Sequence, residues 1–305
     1  MTLVGELQDT VGNVATSVGP AVVRIGRGGG RGAGIVIGPG LVLTNSHNLR
    51  GEETLVSFSD GRTATGSVKG VDSDGDLAVL EVDTADSPPI AWDPGAVSVS
   101  VGTPVFAVAN PAGRGLRVTF GLVSAVGQAF PGPRGRRIGG SIEHTAPLSR
   151  GSSGGPVVDA TGALVGINTN RVGDGFYLAL PADAELKARI DGLARGESRH
   201  TPRLGVGLAP GHAARRLRAA VGLPERDGLL VRGVQPESPA ARAGLRQGDL
   251  LVEAAGSPLA SHDDLYTALD GIGATGSLTL KVVRGTDELD VVVDFRTEAP
   301  TDAAS

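Results

Sequence analysis

The sequence predicts a mainly β protein: two successive β-barrels followed by a small domain of mixed strands and helices. Three observations carry this expectation. Short apolar, β-branched segments bounded by Gly, Asp or Pro recur about every 8–12 residues, which is the pattern of a barrel or sandwich. They fall into two series separated near residues 90–100. From Arg203 onward, strand-like and helix-like segments alternate instead. A length of 305 residues suits two domains, since domains run to roughly 100–200 residues.

The elements follow in order. Leu7, Val11 and Val14 share one face of a short helix over 6–18. The first strand series lies at 21–25, 34–37, 41–44, 54–58, 63–71 and 77–82. A Pro- and Gly-containing crossover over 87–95 leads to the second series, at 104–109, 116–126, 138–144, 156–158, 163–168 and 176–179. A helix over 182–194, with Leu186, Ile190 and Leu193 on one face, closes this unit. The polar segment 194–202 reads as a linker. Beyond it come strands at 204–208, 229–234 and 249–254, helices at 213–221 and 263–272, a helical turn at 239–243, and a hairpin of 278–284 with 289–295. The expected division is an N-terminal segment 1–19, a first domain 20–196, a linker 197–202, a second domain 203–297 and a disordered tail 298–305.

Composition narrows the function. One Trp, two Tyr and six Phe leave the core to Val, Leu, Ile and Ala, and 48 glycines favour tight turns. A net charge of −5 offers no basic surface for nucleic acid, and the cluster Arg134, Arg136 and Arg137 reads as a solvated loop tip. The absence of cysteine removes disulfides, thiolate catalysis and thiolate metal sites. The histidines at 47, 144, 200, 212 and 262 lack paired ligand spacing, so no metal is expected. The glycine-rich stretch at 28–34 lacks the Lys-Ser/Thr sequel of a phosphate loop, and no cofactor is expected. The first 20 residues carry Glu6 and Asp9, no basic side chain and no apolar run of signal-peptide length. The chain as written is therefore expected to be soluble and cytoplasmic.

The stretch Gly151-Ser152-Ser153-Gly154-Gly155-Pro156 carries the chemistry. A nucleophilic serine needs a tight turn with backbone N–H groups converging beside its hydroxyl, and flanking glycines allow both. Gly151 and Ser153 would supply the oxyanion hole. The plain alternative is a Gly/Ser loop between strands. His47, in small polar surroundings after an apolar strand, is the candidate base. Asp76, directly before the strand at 77–82, is the candidate that orients the imidazole. Asp72 and Asp74 in the same loop are alternatives, expected to be solvated at a turn. The order His47, Asp76, Ser153 is that of chymotrypsin-type enzymes, with base and acid in the first barrel and nucleophile in the second.

These residues lie in motifs that resemble the HtrA family of trypsin-like serine proteases. They are GAGIVIGPGLVLTNSHNL around His47, DLAVLEV from Asp76, GLVSAVG, GSSGGPVVDATGALVGINT around Ser153, and GFYLALP. LGVGL, GLLVRGVQPESPAARAGLRQGDLLVEAAG and SHDDLYTAL resemble a PDZ domain. The resemblance covers about residues 20–297. It implies a chymotrypsin-like pair of perpendicular six-stranded barrels followed by an α+β PDZ domain. It also implies cleavage of unfolded or flexible polypeptides in protein quality control, and a homotrimer assembled through N-terminal segments. In the second domain it implies capture of peptide C-termini by Leu204, Gly205 and Val206, with Leu265 and Leu269 lining the side-chain pocket. Those two leucines could equally be core.

The sequence departs from the family pattern. Asn48 follows the base where Val is usual, His144-Thr145-Ala146 stands in place of Thr-Asp-Ala, and Leu148-Ser149-Arg150 in place of Ile-Asn-Pro. Ser152 replaces the Asp of trypsin-like zymogens, so activity is expected to be governed by loops 128–140, 147–152 and 168–175 and not by N-terminal cleavage. Three functions remain: an endopeptidase, a non-catalytic peptide-binding or chaperone scaffold, and a hydrolase of small esters or amides.

Overall fold

The computed structural model describes residues 2–296 apart from 28–30, 96–98, 112–114, 132–136, 174, 199–201, 210, 221, 271 and 273–275. The chain divides into two compact units, Met1–Arg199 and His200–Ser305. The expected tail at 298–305, and Arg134 and Arg136 of the arginine cluster, lie outside the described residues.

The first unit opens with α1 (Leu3–Val18), whose Thr2 hydroxyl caps the helix by accepting from the Gly5 N–H at 3.3 Å. The buried face is Val14 and Val18 with Val11 packed beside them. Leu7, expected on that face, is exposed, because the first two turns are not covered by the rest of the unit. The first barrel comprises β1 (Val22–Ile25), β2 (Gly32–Gly38), β3 (Leu41–Thr44), β4 (Glu53–Ser57), β5 (Thr63–Asp72) and β6 (Leu77–Glu81). Their order is β1-β2-β3-β6-β5-β4, and pairing of Ile25 with Val56 closes the ring. The second comprises β7 (Pro104–Ala109), β8 (Arg117–Pro131), β9 (Arg137–His144), β10 (Pro156–Val158), β11 (Leu164–Val172) and β12 (Phe176–Pro181). It closes in the order β10-β11-β12-β9-β8-β7. Most of the stretch expected as a loop at 128–140 is strand: β8 runs to Pro131 and β9 begins at Arg137, with irregular register between them.

Alternation along the strands builds three cores in this unit. Val23, Ile25, Val36, Val42, Val56 and Leu80 fill the first barrel. Val105, Val123, Ile142, Val157 and Val165 fill the second. The opposite faces, among them Ile35, Leu43, Val79, Phe106, Val108 and Ile167, pack together with α1 as a layer that joins the barrels. The same layer takes Leu186, Ile190 and Leu193 of α2 (Ala184–Ala194), whose first turn is capped by the Asp183 carboxylate accepting from Leu186 N–H at 2.8 Å. The crossover between the barrels is sewn down by Ile90 N–H to the Val36 carbonyl and by Trp92 Nε1–H to the Ala182 carbonyl.

The second unit holds β13 (Val206–Ala209), α3 (Gly211–Ala220), β14 (Leu229–Val234), α4 (Pro239–Arg242), β15 (Leu250–Ala254), β16 (Ser257–Pro258), α5 (His262–Asp270), β17 (Ser277–Arg284) and β18 (Asp287–Asp294). Its sheet runs β13-β14-β15-β17-β18, with the two-residue β16, unforeseen in the sequence, added to β15. Leu204 and Gly205, expected within the first strand, precede β13. Leu229, Val231, Leu251, Leu280, Val282 and Val293 form the centre of its core.

One glycine fixes how α2 sits. A Cβ on Gly70 would lie 2.4 Å from the Leu193 carbonyl oxygen, so only hydrogen at that position lets the helix backbone lie on β5. Gly70→Ala is therefore expected to destabilise the first unit by about 1–3 kcal/mol. Urea unfolding followed by the fluorescence of Trp92, the single tryptophan, reads this directly.

Candidate active site

The site begins where β3 and β6 end side by side. Thr44 pairs with Ala78, so the residues after Thr44 meet those before Leu77. After Asn45 the chain makes one 3-10 turn, Ser46–Asn48, which turns His47 outward. Asp76 takes a left-handed φ of +56°, a conformation that costs a non-glycine residue about 1–3 kcal/mol. The Asn45 amide and the Ser46 N–H hold its carbonyl at 2.8 and 3.2 Å.

The Asp76 side chain is 1% exposed and that of His47 36%. The buried carboxylate collects donors on both oxygens. Oδ1 accepts from the His47 backbone N–H at 3.1 Å and from the Ser46 hydroxyl at 3.0 Å. Oδ2 accepts from His47 Nδ1 at 2.8 Å and from the Thr169 hydroxyl at 3.0 Å. An ionised carboxylate only accepts, so the imidazole proton sits on Nδ1 and Nε2 is left as the basic nitrogen. Asp72 and Asp74 are buried, against the expectation of solvated turn residues. Asp72 is drawn inward by Arg189, 117 residues away. Neither bonds to His47.

Ser153 lies on a turn between Gly151 and Gly154, at φ +87° and +89°. A Cβ on Gly154 would stand 2.2 Å from the Ala33 carbonyl oxygen, so the turn packs directly on the first barrel. The Ser153 carbonyl accepts from Ala33 N–H at 2.8 Å and from the Asn48 amide at 2.9 Å. The Ser153 hydroxyl donates to the Thr169 carbonyl at 2.9 Å. Among the described residues it makes no bond to His47, and the N–H groups of Gly151 and Ser153 donate to none. Ser152 is buried, and its carbonyl accepts from Gly155 N–H at 3.0 Å. Histidine and aspartate are thus hydrogen-bonded, while the serine is anchored beside them through its backbone.

Asn48 and Thr169 are the residues sequence reasoning passed over. Asn48 stood out only as a departure from Val, and Thr169 fell in the expected loop 168–175 without a role of its own, whereas the first part of that loop, to Val172, belongs to β11. His144 is a third. Fully buried on β9, it stacks on Tyr177 and bonds through Nε2 to Asn168 Oδ1 at 2.9 Å. The Asn168 amide nitrogen donates to the Gly155 carbonyl at 3.2 Å, so its oxygen must accept and His144 carries its proton on Nε2. The buried Nδ1 has no partner among the described residues. Burial holds the His144 pKa below its ordinary value of 6.5, against smaller upward pulls from Asn168 and Glu143.

In the second unit Gly205 has φ +78° and accepts from Gln235 N–H at 2.8 Å. The N–H groups of Leu204 and Gly205 donate to no described residue. Val206 is half-buried on β13, which stands at the end of the sheet and pairs, among the described residues, with β14 alone. Leu265 and Leu269 are buried in one core cluster with Leu204.

Comparison with known proteins bears on both units. A family described as Trypsin-like peptidase domain matches residues 32–167, and one described as PDZ domain matches residues 230–284. HhoA of Synechocystis, named as a serine protease, is 34% identical over 90% of this chain and 72% of its own length. A protein of Halomonas elongata, named as a DegP-like periplasmic serine endoprotease, is 32% identical over 86% of this chain. The chain spans 55% of that relative's length. Among solved structures, the HtrA-type protease AlgW with tripeptide superposes with a TM-score of 0.62 at 27% identity, covering 96% of this chain and 99% of that one.

Burial of His144 gives a pH dependence of stability. Its folded pKa lies below 6.5 while the unfolded imidazole titrates near that value. Between the two the unfolded chain binds more protons, so stability is lost as pH falls through this window, by at most about 1.4 kcal/mol per pH unit. The unfolding free energy of the wild type is expected to fall faster between neutral pH and pH 5 than that of His144→Gln, measured by chemical denaturation at each pH.

Proposed function

The chain belongs to the HtrA family of trypsin-like serine proteases, and from that premise we propose that it cleaves unfolded or flexible polypeptides through an acyl-enzyme formed on Ser153. His47 is the general base, Asp76 its orienting acid, and the N–H groups of Gly151 and Ser153 the oxyanion hole. Residues 20–196 form the protease domain, 197–202 the linker and 203–297 the PDZ domain. The observation that carries the reading is the Asp76–His47 pair, held in the one tautomer that leaves Nε2 free to take a proton, beside a serine turn docked on the same barrel.

In the reaction the Ser153 hydroxyl leaves the Thr169 carbonyl and turns to His47 Nε2. It loses its proton there as Oγ bonds to the substrate carbonyl carbon. The oxygen of that carbonyl takes up negative charge against the two N–H groups, which are free of other described partners. The imidazolium, stabilised by Asp76, returns the proton to the leaving amine nitrogen as the C–N bond breaks. Water then enters by the same route and releases the acid. The rotation of Ser153 places control of activity in the segments 147–152 and 168–175, which flank the hydroxyl and the carbonyl that holds it.

The PDZ domain captures a peptide C-terminus: the unused N–H groups of Leu204 and Gly205 suit a carboxylate, and the open edge of β13 suits an added strand. Leu265 and Leu269 would then border the side-chain pocket from α5. These features support substrate capture in protein quality control. A homotrimer through the N-terminal helix fits the exposure of Val4 and Leu7. Among the described residues no helix is long and apolar enough to cross a membrane. The Halomonas relative is named periplasmic, so the cytoplasmic expectation draws no support from it.

A second reading, a peptide-binding scaffold without turnover, is favoured by the Ser153 hydroxyl pointing to Thr169. A fluorophosphonate probe separates the two. Labelling and casein cleavage are expected in the wild type and absent in Ser153→Ala, and an unlabelled wild type would favour the scaffold. Asp76→Asn is expected to lower kcat on the order of 10⁴-fold, as in the chymotrypsin-family precedent. For the second domain, fluorescence anisotropy should show binding of a peptide with a free C-terminus and loss of binding when that terminus is amidated.

A further inference from the structure

We propose that Arg189, on α2, is a positioning residue for Asp76. The proposal rests on the triad reading above and adds to it a residue from the far end of the protease unit.

The turn over 72–76 has a demanding task. It must hold Asp76 in a left-handed conformation and aim its carboxylate at His47. Local hydrogen bonds do part of this: Asp72 Oδ1 accepts from Gly75 N–H at 2.8 Å, which closes the turn. That leaves Asp72 Oδ2 in a buried place, where an uncompensated charge is costly. Arg189 supplies the compensation, with Nη2 at 2.5 Å from Oδ2. A Cβ on Gly75 would lie 1.6 Å from that same nitrogen, so the guanidinium rests on the backbone of the residue preceding Asp76. The contact is steric as well as ionic.

Two further contacts place the end of this helix and the segment after it against the residues leading into the turn. Gly70 lies against the Leu193 backbone. Val71 N–H donates to the Ser198 hydroxyl at 3.2 Å. With the Asp72–Arg189 pair they make three consecutive attachments at 70, 71 and 72. The chain from Arg189 to Ser198 is therefore a strap over the segment that delivers the acid. α2 does not depend on Arg189 to stay docked, because Leu186, Ile190 and Leu193 bury its other face. Loss of the guanidinium then releases the turn while the helix stays in place. Asp74, buried in the same turn, has no partner for its Oδ2 among the described residues.

The test compares wild type, Arg189→Met and Arg189→Lys in the full chain. The downfield proton resonance of His47 Nδ1–H, assigned by its loss in His47→Ala, reports the Asp76 contact without any turnover. It is expected to shift or broaden in Arg189→Met and to be partly restored in Arg189→Lys. In steady-state cleavage of a flexible peptide, Arg189→Met should lower kcat by about 10- to 100-fold with KM little changed, since misplacement by about 1 Å can cost on the order of 10²-fold. An unaltered resonance and kcat, with only the melting temperature lowered, would reduce the pair to a structural ion pair and overturn the proposal. Should Arg189→Met not fold, Arg189→Lys and Asp72→Asn give the same readouts. A wild type without peptidase activity would instead defeat the catalytic reading, and the resonance comparison would still decide the role of Arg189.

Discussion

The buried carboxylate of Asp76 is the interaction on which the site depends. A charge with almost no access to water is tolerable only where donors surround it. Here they come from Ser46, from two nitrogens of His47 and from Thr169. The first two residues stand on a turn of the first barrel and the third on a strand of the second. One carboxylate thus sets the imidazole tautomer and ties the barrels together at the point where a nucleophile must meet its base. The left-handed backbone of Asp76 is the cost of bringing it there, and the surrounding hydrogen bonds offset that cost.

The serine turn obeys a steric constraint of a different kind. Gly154 must lack a side chain because the Ala33 carbonyl occupies that space, and the turn is then held by Ala33 and Asn48 through the Ser153 carbonyl. Asn48 fills the room left by Gly32, where a Cβ would overlap its amide. Its departure from the family residue has a local reason: a side chain that can donate to Ser153 and to Thr44. Behind the turn, the Asn168 amide donates to the Gly155 carbonyl, and His144 holds that amide from the other side. Two departures from the family pattern, Asn48 directly and His144 through Asn168, therefore support the backbone of the nucleophile turn, while the donors around Asp76 lie in the matching motifs.

What could be read from the sequence follows from what is local. Short β-branched segments and their turns reveal strands because alternation and punctuation are local properties. The placement of His47 after one strand and Asp76 before another was legible for the same reason, and antiparallel pairing of β3 with β6 joins those ends. Burial of Asp72 was not legible, because its cause is an arginine 117 residues away. Thr169 and Asn168 begin a polar run, Asn168 to Arg171, that reads as loop, and their roles as side-chain partners of Asp76 and His144 depend on residues distant in sequence. Leu7 was misplaced because periodicity gives a face but not what covers it. Leu204, Leu265 and Leu269 share a core cluster, a fact that no spacing rule separates from the lining of a groove.

The central claim is that the Ser153 hydroxyl, turned away toward Thr169 in this structure, works with His47. A crystal structure of the chain carrying a peptidyl phosphonate tests this most directly. The account predicts a bond from Ser153 Oγ to phosphorus, His47 Nε2 within hydrogen-bonding distance of that oxygen, and a phosphoryl oxygen between the N–H groups of Gly151 and Ser153. An unreacted Ser153 still bonded to the Thr169 carbonyl, with the phosphonate bound elsewhere or absent, would contradict it.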